Sequence, residues 1–157
     1  MYPEIKTLTD FLTRAHHATY ANVSSLKVTA LRPGSKDYEF TEGDLQYHDT
    51  YFGGKKFIGA EVVYFKEKPV WGMNYYGRGL LAEMPESYFD AVLRPALMET
   101  PWEKLPVRGP EHFTGGDFTY TMSFVTEGNI ELFSACEKIF LKEDLIFENF
   151  VHGGWIE

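Results

Sequence analysis

Three acidic residues stand at positions where strand periodicity would place them on an apolar surface. Glu137 lies in a stretch whose alternate positions are apolar, and Glu61 lies in a second stretch of the same kind. Because successive side chains of a strand point to opposite faces, each glutamate shares its face with those apolar side chains. Asp49 adds a third acid on a neighbouring segment. Carboxylates in such surroundings can accept hydrogen bonds, bind a cation or work as an acid–base pair.

The second of two hairpins predicts an aromatic partner for Glu137. A two-residue turn at Gly128 and Asn129 would connect the two strands of this hairpin. Counting back along both strands from that turn places Tyr120 directly opposite Glu137. A tyrosine–glutamate pair on an apolar face is therefore expected here.

The first hairpin supports the same arrangement if its loop has five residues, 52–56. Tyr47 then lies opposite Glu61, and Asp49 lies diagonally from Glu61 at about 7–8 Å. A tight two-residue turn would reverse the faces and place His48 opposite Glu61 instead. We favour the five-residue loop because it makes the two hairpins equivalent.

These pairings suggest a concave pocket lined by aromatic rings, with two or three acids at its centre. Ring faces attract cations and carboxylates accept hydrogen bonds, so the pocket would suit a small cationic or polar, hydroxyl-rich ligand. The chain is accordingly predicted to be a non-enzymatic small-ligand or effector-binding module. The predicted ligand-binding residues are Tyr47, Asp49, Glu61, Trp71, Tyr75, Tyr120 and Glu137. A purely structural interpretation is that tyrosine hydroxyls simply satisfy half-buried glutamates.

Two other functions stay open. A pair of carboxylates, drawn from Asp49, Glu61 and Glu137, could serve as acid and base in a hydrolase. Catalytic acids would then need an open cleft and a suitable separation. Exposed aromatic residues would instead fit a protein-interaction or dimerisation module, with a homodimer as one form.

Other chemistry-bearing motifs are missing from the sequence. The glycine-rich stretches 53–56 and 77–79 match no phosphate-binding fingerprint and are typical of turns. The five histidines have no ligand-like spacing. Cys136 is followed by Glu137, an anion that disfavours the thiolate needed for nucleophilic attack. We therefore expect no catalytic residue, no metal ligand and no cofactor.

Composition narrows the class of protein further. The chain has 157 residues, 15 basic against 23 acidic side chains, and a formal net charge of −8. An excess of acid opposes binding to phosphate backbones, so no nucleic-acid partner is expected. No apolar run is long enough to span a membrane, and no signal peptide is recognisable. A single cysteine fits a reducing compartment, so we expect a cytoplasmic protein.

The elements that would position these residues combine helices with strands. Apolar spacings of three and four predict a helix over 4–20, and a second helix from 84–85 that stops by 100–101. Pro95 predicts a kink near Arg94 because proline lacks the amide hydrogen. Alternating patterns and short turns predict antiparallel strands in the remaining chain.

Self-similarity suggests that the chain contains one unit twice. The segment 40–45 recurs at 113–118, and 61–66 recurs at 137–142. The expected fold class is α+β, a single domain over 1–157 built from two helix-plus-three-strand repeats, 4–78 and 85–154. Most of its sheet would be antiparallel.

Several strings together resemble a known family. They are Arg32-Pro33-Gly34-Ser35-Lys36, Tyr47-His48-Asp49-Thr50-Tyr51, Phe57-Ile58-Gly59-Ala60-Glu61, Pro69 to Gly77, Arg108-Gly109-Pro110 and His152-Gly153-Gly154. The chain resembles an uncharacterised bacterial domain of unknown function, found alone or behind a helix-turn-helix regulator domain of the XRE type. The resemblance implies a sensing or accessory role by association only, because a shared fold does not supply a function.

Overall fold

Eight strands form one antiparallel sheet in the computed structural model, which describes residues 1–22 and 24–157. The strands are β1 (Lys36–Glu42), β2 (Leu45–Gly53), β3 (Lys56–Phe65), β4 (Lys68–Gly79), β5 (His112–Gly115), β6 (Phe118–Asn129), β7 (Leu132–Leu141) and β8 (Asp144–Trp155). Their order across the sheet is β1-β2-β3-β4-β8-β7-β6-β5. The first four and the last four strands are therefore two meanders joined side by side through β4 and β8.

The helical part is small. Helix α1 spans Ile5–Ala18, close to the predicted 4–20, and that prediction is confirmed. A π-helical turn, Phe89–Leu93, leads directly into the short helix α2, Arg94–Met98. The change between the two lies at the position where Pro95 predicts a kink. In the described part of the chain, no helix is long and apolar enough to cross a membrane.

One face of the sheet is buried under these helices. Helix α1 buries Leu8, Phe11, Leu12 and Ala15, and α2 buries Ala96 and Leu97. The sheet side of this core is formed chiefly by Leu45, Tyr47, Val63, Trp71, Met73, Phe118, Tyr120, Met122, Phe133, Ala135, Ile139, Phe147 and Val151. These residues alternate along their strands, as expected for a sheet with one covered face. Asp49, Glu61 and Glu137 lie on this same inner face and are at most 2% exposed.

The expected fold class is wrong. Within the described residues, the eight-stranded antiparallel sheet dominates and only two short α-helices accompany it, so the fold is not an α+β assembly of two helix-plus-three-strand repeats. Residues 36–42 and 112–115 each add an edge strand, so each meander has four strands instead of three. The second helix is much shorter than expected, because residues 81–87 form bends, turns and irregular backbone.

Both predicted hairpin registers are wrong by two residues. Tyr47 pairs with Val63, and Tyr120 pairs with Ile139. In the second hairpin, β6 continues through Asn129 and contains irregular pairing between Phe124 and Asn129, which moves the turn. A shift of two residues keeps every side chain on its predicted face, because the side-chain period is also two.

Candidate functional site

A cavity of about 270 Å³ lies against the inner face of the sheet and the helical segment 88–97. Aromatic side chains dominate its walls: Tyr20, Tyr38, Tyr51, Phe57, Tyr75, Tyr88, Phe89 and Phe147. Two charged side chains from the interior also reach it, Asp49 from β2 and Arg108 from the segment before β5. Its volume is near the lower end of the roughly 300–1,000 Å³ typical of ligand pockets, so it matches a small molecule.

Asp49 is the acid that lines this cavity. It lies directly opposite Glu61 in the β2–β3 ladder, so two carboxyl groups meet on the buried face. The Tyr75 hydroxyl donates a hydrogen bond to Asp49 Oδ1 at 2.6 Å. Burial, together with the nearby charge of Glu61, raises the pKa of Asp49 well above its usual range. Both effects favour the protonated, neutral form of Asp49.

Glu61 is tied to helix α1. Its Oε2 lies 2.8 Å from His16 Nε2, and both side chains are almost fully buried. Glu61 Oε1 is buried and has no hydrogen-bond partner among the described residues. The edge of the His16 ring packs near Tyr47, whose buried hydroxyl is also unpaired in the described part of the chain. Burial raises the pKa of that hydroxyl, so Tyr47 stays neutral.

Glu137 occupies the corresponding place on β7 and has more partners. The Tyr120 hydroxyl donates to its Oε1 at 2.7 Å, and the Asn149 amide donates to its Oε2 at 2.7 Å. Arg108 Nε lies 2.9 Å from Oε1 as an ion-pair partner, although its N–H does not point along a hydrogen bond. Three neighbours thus surround a carboxylate that is 0% exposed.

Arg108 connects this buried acid to the cavity. Its guanidinium lies over the ring of Tyr20, 4.8 Å from the centroid, which is a cation–π geometry. Burial lowers the pKa of Arg108, but the combined effects of Glu137, Tyr20 and Tyr120 outweigh it and the net shift is upward. The following residue, Gly109, donates its backbone N–H to the Tyr120 hydroxyl. A Cβ at Gly109 would lie 2.8 Å from that hydroxyl, so glycine permits the close approach.

Three more cations border the cavity. Lys36 donates to the Gly53 carbonyl at 2.8 Å and lies over the Tyr51 ring. Lys27 lies near the Tyr38 ring, and Arg94 pairs with Asp90 at 3.0 Å. With Arg108, four basic residues line the cavity, and among the described residues Asp49 is the single acidic one.

The structure brings together most of the residues predicted from sequence, but in two different environments. Asp49 and Tyr75 line the cavity. Tyr47, Glu61, Tyr120 and Glu137 belong to the buried polar groups described above and do not line it. Trp71 lies elsewhere: it stacks on Phe133 and donates its indole N–H to the Ile130 carbonyl.

Sequence reasoning missed four groups of the site. They lie in helix α1 (His16), in segments outside the helices and strands (Tyr20, Lys27 and Arg108), in β1 (Lys36) and in α2 (Arg94). Periodicity carries no signal for contacts between such segments and a strand. The sequence did offer one hint. A buried acid is normally paired or neutral, so acids predicted on a buried face require partners from elsewhere in the chain.

The cavity does not bring two of the predicted acids together. A hydrolase of the proposed kind needs two carboxyl groups facing one substrate, and among the described residues Asp49 is the one acid that lines the cavity. Glu61 faces His16, and Glu137 faces its own three partners. Residues 1–22 and 24–157 also contain no group of three potential metal ligands of the His, Cys, Asp and Glu types.

Comparison with known families places most of the chain in one of them. The family described as a domain of unknown function, DUF5680, matches residues 49–156. The chain belongs to this family. Neither the curated proteins nor the solved structures contain a match to the chain. The DUF5680 span begins at Asp49 and includes Glu61, Tyr75, Arg108 and Glu137, whereas α1 and β1 precede it.

Replacing Glu137 by glutamine is expected to destabilise the protein strongly. The substitution keeps the shape but leaves Arg108 as a buried charge without its counter-ion, a loss that typically costs about 3–5 kcal/mol. Urea unfolding at pH 7 measures the change, and the exposed Glu127→Gln provides the matched control. A loss below about 1 kcal/mol would show that Arg108 is charge-compensated in another way.

Replacing Asp49 by asparagine is expected to stabilise the protein as the pH rises. The unfolded chain releases this proton near pH 3.8 while the folded chain keeps it, so the wild type loses stability with increasing pH above that value. At pH 8 the Asp49→Asn variant should therefore be more stable relative to the wild type than it is at pH 4. Below pH 4 the two proteins should converge.

Denaturant unfolding of both proteins at pH 4, 6 and 8 tests this slope. The exposed Asp44→Asn is the control, and its difference from wild type should not show this rise between pH 4 and 8. An Asp49→Asn difference that is constant with pH would contradict the neutral form of Asp49.

Proposed function

We propose that this DUF5680 protein is a small-molecule-binding module and that its ligand occupies the cavity beside Asp49 and Arg108. The single observation that carries the proposal is the composition of this cavity. Aromatic rings form its walls, and a few polar groups reach it from the buried core. Ligand sites in proteins commonly combine a largely apolar lining with a small number of oriented polar groups.

Unpaired polar atoms near the cavity add support. The Tyr20 hydroxyl is buried without a hydrogen-bond partner among the described residues, and Tyr20 lines the cavity. Buried polar groups in folded proteins are nearly always hydrogen-bonded, because desolvation without a partner costs free energy. A ligand with polar atoms at this end of the cavity would supply such a partner.

Two further aspects of the sequence prediction stay predictions. A cytoplasmic location is compatible with the single buried thiol of Cys136. A homodimer is favoured by a row of exposed apolar residues on the outer face of the sheet, where Ile58, Tyr76 and Phe150 are neighbours on β3, β4 and β8. Light scattering of the purified chain measures whether a second copy associates.

Ligand-observed NMR with a panel of one- and two-ring compounds tests the proposed function. The panel contains each ring as its carboxylate, its carboxamide and its amidine, so that size is held constant while charge varies. Protein-observed chemical shifts then map each hit. Hits are expected to change the chemical shifts of residues around the cavity, such as Tyr75 and Tyr51.

A variant at Gly54 links binding to this cavity. Gly54 borders the cavity, its φ is not positive, and a Cβ there would have no atom within 4 Å. Gly54→Phe should therefore fold normally, place a ring at the cavity border and weaken binding at least tenfold. Gly54→Ser is the small control and should bind like wild type. Absence of any hit, or hits insensitive to Gly54→Phe, would refute binding in the cavity.

A further inference from the structure

The lining of the cavity has a charge opposite to that of the whole chain. The chain carries 15 basic and 23 acidic residues, yet four basic residues and, within the described part, one acidic residue line the cavity. Burial keeps that acid, Asp49, in its neutral form. The cavity therefore presents a net positive surface within an acidic protein, a distribution that attracts anions.

Arg108 offers donors suited to a planar anion. Its side chain is only 9% exposed, and its fully buried Nε is directed toward the Glu137 side of the site. That Nε faces Glu137 Oε1 as an ion pair at 2.9 Å. The two Nη amino groups are the remaining donors, and a guanidinium edge matches a carboxylate through two parallel hydrogen bonds.

Two neutral hydroxyl-type donors accompany Arg108. Asp49 uses Oδ1 to accept from Tyr75, so its proton can be carried on Oδ2 and donated to a ligand. The Tyr20 hydroxyl is unpaired within the described residues, and burial raises the pKa of Tyr20 so that it remains a donor. A carboxylate between these groups would accept hydrogen bonds on both of its oxygens.

We propose that the ligand is a small aromatic carboxylic acid, bound as the carboxylate by Arg108 with its ring among the tyrosine and phenylalanine side chains. This inference rests on the proposed binding function and adds the ligand class. The size of the cavity limits the molecule to one or two rings with short substituents. Lys27, Lys36 and Arg94 at the border assist by attracting the anion toward the cavity.

A cationic ligand, which the sequence alone suggested, fits this lining less well. Of the three interior acids, Asp49 is the one that reaches the cavity, and Glu61 and Glu137 face His16 and Arg108. An amine or amidine would meet two lysines, two arginines that are already paired with Asp90 and Glu137, and one neutral carboxyl group. Placing a cation there would require Asp49 to ionise beside Glu61, which like-charge repulsion opposes.

Matched ligands test the class without any mutation. Benzoate, benzamide and benzamidine have the same ring and nearly the same size, and the two-ring acid, amide and amidine extend the series. Calorimetric titration at pH 7 and low salt is expected to show that the acid binds at least tenfold more tightly than its amide. The amidine should bind most weakly, and added salt should weaken the acid alone.

Variants at the site give independent readouts. Arg108→Lys keeps a positive charge for Glu137 but removes the guanidinium edge, so acid binding should weaken at least tenfold. Arg78→Lys, an exposed arginine paired with Glu148, is the matched control and should leave binding unchanged. Asp49→Asn is expected to retain acid binding, because Asp49 is already neutral and asparagine keeps a neutral hydrogen-bond donor at this position.

The outcomes separate this inference from the proposed function. If amides or amidines bind in the cavity better than the matched acids, or if Asp49→Asn weakens acid binding tenfold, the acid class is wrong while the binding function stands. If no member of any series binds, the proposed function itself fails. If Arg108→Lys does not fold, the acid–amide–amidine ranking on the wild-type chain decides alone.

Discussion

Three carboxyl groups are buried on the apolar inner face of the sheet, and each must be neutralised there. A carboxylate without a partner in such surroundings would cost several kcal/mol. The protein meets this constraint in three different ways: Asp49 keeps its proton, Glu61 faces a histidine, and Glu137 is paired with an arginine. Each of these three acids also contacts another element of the structure.

Each acid joins elements that are far apart in the sequence. Glu61 ties β3 to helix α1 through His16, which lies 45 residues away. Glu137 ties β7 to the segment before β5 through Arg108 and to β8 through Asn149. These contacts hold the helical layer and the connecting segment over the sheet, and the cavity lies where the two meet. The same polar groups that stabilise the core therefore supply the donors of the candidate site.

Local patterns predicted the faces of the strands but not their partners. The alternation around Glu61 and Glu137 indicated burial correctly, because a period of two survives any even shift of register. Which residues of two strands pair depends on the shape of the turn and on bulges such as the irregular pairing between Phe124 and Asn129. The alternation of apolar and polar residues does not predict either of these. Trp71 was assigned to the site for its aromatic ring, yet its indole N–H is used by the Ile130 carbonyl in the core.

The sequence by itself determined that an aromatic-rich chain would form antiparallel strands with acids on their inner face, since side-chain alternation is a local property. Only the tertiary structure decided that the strands join into one eight-stranded sheet and that Asp49, but neither glutamate, reaches the cavity. It also decided the sign of the charge around that cavity. Arg108, Lys36 and Arg94 come together there from separate segments, and long-range packing alone brings such residues into contact.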